Sequence, residues 1–122
     1  MELSRVAGVF ANRALFSATG FRPAGRALVR ALGSEDENVR NIASMSLVQS
    51  GRRAEAVLQE ALDRRETLPL VLSILGDIGD PASEGILSRF TDDSDPEIAR
   101  SARDALRTLR AQPTDRPSDP TA

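Results

Sequence analysis

The stretch Val71-Leu-Ser-Ile-Leu-Gly-Asp-Ile-Gly-Asp-Pro-Ala-Ser-Glu-Gly-Ile-Leu-Ser-Arg-Phe90 decides how this chain is read. Up to Ile78 its apolar residues fall at helical spacing. Gly79 then offers the left-handed conformation that ends a helix cheaply, and Asp80 supplies an N-cap carboxylate. Pro81 falls at the first helical position, where a missing N–H costs nothing. The segment is one helix end, a two-glycine turn and the start of the next helix.

Working outward, the same punctuation recurs. A first helix is expected from Glu2 to about Ala18, carrying Leu3, Val6, Val9, Phe10, Ala14, Leu15 and Phe16. Three helix pairs follow, Ala24–Leu32 with Glu37–Ser50, Ala54–Leu62 with Glu66–Ile78, and Ala82–Phe90 with Pro96–Arg110. Ser34 and Glu37 have capping-box spacing, Pro69 must sit in a first turn, and Asp95-Pro96 repeats the cap of Asp80-Pro81. Gly33, Gly51 and Gly79 are expected to end helices with left-handed backbone. Leu28, Leu58 and Leu87 are 30 and 29 residues apart, and Leu47-Val-Gln-Ser-Gly51 matches Leu75-Gly-Asp-Ile-Gly79 at 28. One such unit cannot bury its own stripe, so neighbours must stack. The expectation is an all-α, short right-handed α-α superhelix of about three pairs plus an N-terminal helix. Its parts are an apolar cap or docking element over 1–21, a repeat domain over 22–110 and a disordered Pro-rich tail over 111–122.

The 122 residues include no Cys, no His and no Trp or Tyr, and all sixteen basic residues are Arg. Thiolate nucleophiles, structural zinc, imidazole acid–base chemistry and lysine Schiff bases are therefore excluded. No catalytic residue, metal ligand or cofactor is expected. The net charge of −2 is segregated: residues 1–32 carry +4, 33–98 carry −8 and 99–122 carry +2. An acidic centre repels phosphate, so a nucleic-acid duplex along the whole molecule is not expected. No apolar run reaches the length of a transmembrane helix, and Asn12 and Arg13 interrupt the only signal-like segment, so the expected location is cytoplasmic.

A pair of helices repeating every 28 to 30 residues, with Leu75-Gly-Asp-Ile-Gly-Asp-Pro81 between units, resembles the HEAT repeat family, in its short PBS lyase HEAT-like form. Asp36-Glu-Asn-Val-Arg40 and Asp95-Pro-Glu-Ile-Ala-Arg100 are similar to the run that opens second helices in that family. The middle unit departs from it, with Thr67-Leu68 in place of the aliphatic–Arg pair, which breaks a polar ladder of the kind Asp36 and Arg40 would join. Enzymes with such repeats include an iron-dependent deoxyhypusine hydroxylase, whose metal site needs the His this chain lacks. Others are bilin lyases, so an accessory lyase or chaperone-like factor is the alternative to an adaptor.

The resemblance implies that second helices line a concave face. Arg40, Asn41, Ser44, Gln49, Ser73 and Asp77, with Arg100 and Arg103, would then form a polar groove for a partner protein. Arg100, Arg103, Arg107 and Arg110 form a basic stripe opposite Ile98, Ala102, Leu106 and Leu109, which offers a second alternative, nucleic-acid binding. Glu97 and Asp104 lie close enough in sequence to neutralise that stripe. Leu3, Val6, Phe10 and Phe16 are the candidate docking residues of the N-terminal helix, which caps the first repeat, docks a partner or self-associates. The acidic clusters 35–37 and 92–95 lack the spacing of a calcium loop and fit helix capping.

Overall fold

Caps and glycines lay out the helices seen in the computed structural model, which describes residues 8–14 and 22–112. Helix α1 covers residues 8–14 of the described chain. It is followed by α2 (Arg22–Ala31), α3 (Glu37–Ser50), α4 (Arg52–Gln59) and α5 (Leu68–Ile78). A 3₁₀ turn (Pro81–Ser83) then leads into α6 (Glu84–Ser88), and α7 (Pro96–Ala111) closes the described chain. No strand occurs among the described residues.

The N-caps at Asp80 and Asp95 form as expected. Asp80 Oδ1 accepts from the Ala82 N–H at 3.0 Å and Asp95 Oδ1 from the Glu97 N–H at 3.0 Å. Pro69 falls in the first turn of α5. The capping box at Ser34 and Glu37 is replaced by a different arrangement. Asp36 is the N-cap of α3 and accepts from the Asn38 N–H at 2.9 Å, while Ser34 Oγ accepts from the Asp36 N–H at 3.1 Å. Asp36, directly before the first helical residue, takes the capping position.

Gly51 (φ 61°) and Gly79 (φ 76°) have positive φ, but Gly33 does not. The reason is how the leading helix of each pair ends. Helix α2 tightens into i→i+3 bonds, Leu32 N to Val29 O, Gly33 N to Arg30 O and Ser34 N to Ala31 O. The same winding follows α4, at Ala61 N to Leu58 O, and α6, at Phe90 N to Leu87 O. A 3₁₀ ending satisfies the last carbonyls without a left-handed residue. It also ends α4 at Gln59 and α6 at Ser88, and a separate 3₁₀ turn over Pro81–Ser83 takes the start of the third leading helix, expected as Ala82–Phe90.

One core runs through the molecule. Leu28, Leu58 and Leu87 are each fully buried at matching places in α2, α4 and α6. Leu47 and Leu75 are likewise buried at matching places in α3 and α5. α2 packs on α3 and α4, α3 on α5, and α5 most extensively on α7. Gly76 makes the last contact close, since a Cβ there would stand 2.7 Å from Ala105 Cα. Val9 of α1 joins the same core, whereas Phe10 is 48% exposed. The other N-terminal docking residues, Leu3, Val6 and Phe16, lie outside the described residues.

The expected tail boundary at 111 moves. Ala111 is the last residue of α7, and Gln112 Nε2 donates to Asp77 O at 3.1 Å and Gly76 O at 3.5 Å, satisfying carbonyls at the end of α5. The rest of the expected tail, 113–122, lies outside the described residues.

Candidate functional site

Two second helices, α3 and α5, leave an open groove of about 350 Å³ between them. Of the residues expected to form a concave face, Ser44, Gln49, Ser73 and Asp77 do line it. The remaining lining is Met45, Val48, Leu70 and Ile74, so the expected polar groove has an apolar interior with polar groups along it. Met45 is 61% exposed and Leu70 36%. On the α3 wall Arg13 Nη2 of α1 donates to Gln49 Oε1 at 2.8 Å, and on the α5 wall Asp77 O accepts from Gln112 Nε2 at 3.1 Å.

The other expected groove residues lie elsewhere. Arg40 is half-buried and donates to Ser34 O at 2.7 Å, so it holds the α2–α3 connection in place. Asn41 is exposed on α3 outside the groove lining. Arg100 and Arg103 are exposed on α7, also outside that lining.

The basic stripe of α7 is present on the exposed face, but its charge is largely compensated. Arg103 lies 3.7 Å from Asp92, Arg107 2.8 Å from Asp104 and Arg110 2.7 Å from Glu84. Arg103, Arg107 and Arg110 flank a shallow depression with Ser88 and Thr91. The acidic run before α7 is accounted for residue by residue. Asp95 caps the helix, Asp93 accepts from the Asp95 N–H at 2.9 Å and from Arg65 at 2.7 and 3.1 Å, and Asp92 faces Arg103. Arg65 holds the Asp93 carboxyl below its ordinary range.

The chain matches no protein-family model, no curated protein and no solved structure.

Sequence reasoning overlooked Met45 and Leu70. A signal was available, because Leu-Pro-Leu-Val-Leu-Ser-Ile-Leu over 68–75 holds more apolar residues than one buried stripe requires. It also overlooked a carboxyl pair. Asp80, whose side chain is 8% exposed, lies beside Glu55 of α4, with Arg52 Nε 3.4 Å from Asp80 Oδ2. Burial, then the hydrogen bond to Asp80, push the Glu55 carboxyl up to about 7. The Ala82 N–H holds Asp80 below its ordinary range. Ser83 Oγ donates to Glu55 Oε2 at 3.5 Å. The pair spans 25 residues and has no local pattern, so no sequence signal marks it. Among the described residues no group of three or more acids is placed to hold a metal ion, and no helix is long and apolar enough to cross a membrane.

Proposed function

We propose that the chain is a non-enzymatic interaction module of the HEAT-like type, a short right-handed solenoid that binds a partner protein along the groove between α3 and α5. Met45 carries the reading. A large apolar side chain left mostly in water, on a groove shared with Leu70, Val48 and Ile74, gains about 25 cal/mol for each Å² that a partner covers. The matched burial of Leu28, Leu58 and Leu87, and the matched positive-φ glycines 51 and 79, support the repeat architecture. The lack of His, Cys and Lys supports a role without covalent chemistry.

The groove suits an amphipathic segment. Its apolar edge would lie on Met45, Val48, Leu70 and Ile74, and its polar groups would meet Ser44, Gln49, Ser73 and Asp77. The test is affinity capture with the tagged protein, its Met45→Asp/Leu70→Asp variant and an Arg107→Glu control. One protein recovered in stoichiometric amount by wild type and control, and lost from a double variant whose circular dichroism is unchanged, is the expected result. Equal recovery by all three, or an eluate holding only nucleic acid or pigment, overturns the proposal.

A further inference from the structure

Arginines without an ion pair among the described residues flank a cleft between α2 and α4. On α7 three arginines each face a carboxylate of their own. On α2, by contrast, Arg22, Arg26 and Arg30 stand one turn apart on the exposed face, and Arg64 stands across a cleft, just beyond α4. The cleft has one carboxylate in its lining, Glu60. Arg26 engages it with both oxygens, at 2.9 and 3.1 Å, and Arg22 Nη1 lies 3.8 Å away. Arg30 and Arg64 form no ion pair within 4 Å among the described residues, and Arg64 acts on Glu60 only through its charge at longer range.

The cleft measures about 180 Å³, and its floor is the buried side chains of Val29, Val57 and Ala61. Small-molecule sites run from roughly 300 Å³ upward, so this one has room for a side chain and not for a nucleotide. Guanidinium forks match the planar, multi-oxygen geometry of carboxylates and phosphates. The hydrogen bond from Arg26 holds the Glu60 carboxyl below its ordinary range, so Glu60 stays ionised and fixes one wall.

We propose that this cleft is a second binding site, taking an oxyanion-bearing side chain of a peptide, a phosphoserine or an acidic residue, between Arg30 and Arg64, with an aliphatic neighbour resting on Val29 and Val57. It shares no residue with the α3–α5 groove and stands or falls without it. A nucleic-acid strand is the poorer occupant, because Glu60 sits within the cleft and residues 33–98 carry −8 overall.

Fluorescence anisotropy with three labelled peptides, Leu-phosphoserine-Leu, Leu-Glu-Leu and Leu-Ser-Leu in one common flank, tests the site, with single-stranded oligothymidine as a fourth probe. At least one anionic peptide binds and the serine peptide does not, and the stronger of the two identifies the oxyanion. Arg30→Ala/Arg64→Ala weakens that binding roughly tenfold or more, while Arg107→Ala and Met45→Asp leave it unchanged. Both substituted arginines are exposed, and thermal unfolding checks that the variant folds. Failure of both anionic peptides to bind at millimolar concentration, binding indifferent to the double variant, or tighter binding of the oligothymidine overturns the proposal.

Discussion

Gly76 and Gly79 sit three residues apart in one turn signature, yet each is glycine for a different reason. Gly79 has φ 76°, a backbone that a side chain strains. Gly76 is helical, and its missing Cβ lets α5 and α7 touch: an added methyl would meet Ala105 Cα and O at 2.7 Å and Ala105 Cβ at 2.8 Å. Those atoms belong to a backbone that cannot step aside. Gly76→Ala is expected to cost about 1–3 kcal/mol, measured as a lower urea midpoint at unchanged slope. Gly85→Ala, in a helix with open space at that position, is the control and is expected to be neutral or mildly stabilising. The turn was legible in the sequence because glycine, aspartate and proline act locally. The close approach was not, because Ala105 is 29 positions away.

At the scale of elements, helix starts were the most legible feature and helix ends the least. Asp80 and Asp95 cap as their proline neighbours announce, since a cap is made within two residues. At α3 two local solutions competed, and Asp36 took the cap from Ser34. Asp36→Ala is therefore expected to cost about 1 kcal/mol, whereas Glu37→Ala stays within about 0.5 kcal/mol because Glu37 is exposed and no longer half of a capping box. Chemical denaturation of both variants checks the order, and a larger loss at Glu37 would restore the capping box. The 3₁₀ endings of α2, α4 and α6 escaped the sequence reading because both endings satisfy the same carbonyls, and packing selects between them. The groove was half legible for a related reason. Ser44, Gln49, Ser73 and Asp77 follow helical spacing, but whether Met45 and Leu70 lie inward or outward depends on how α3 sits against α5.

At the scale of the whole molecule, stability should depend on pH through the Glu55–Asp80 pair that joins α4 to the turn before α6. Glu55 is raised from 4.5 to about 7 in the fold, so the folded state holds a proton that the unfolded chain releases. Stability is then fully present below about 4.5, falls as pH rises toward about 7, and levels off above it. The loss is expected to be about 1–3 kcal/mol after allowance for partial solvent access. Asp80 works in the opposite sense in a lower window, losing its contribution as pH falls through its depressed value. Arg52 and Ser83 are the other groups facing the pair. Glu55→Gln mimics the protonated form and should flatten the neutral limb of a plot of melting temperature against pH; an unchanged limb would remove Glu55 as its cause. Helix content, the caps at Asp80 and Asp95, the repeat spacing of Leu28, Leu58 and Leu87 and the exclusion of imidazole, thiol and amine chemistry all rest on neighbours within a few residues or on composition, so the linear chain carried them. Which arginines keep their charge free, which apolar side chains stay in water and which carboxyls share a proton came only with the folded structure. Each of these depends on groups tens of residues apart that packing alone brings within a few ångströms.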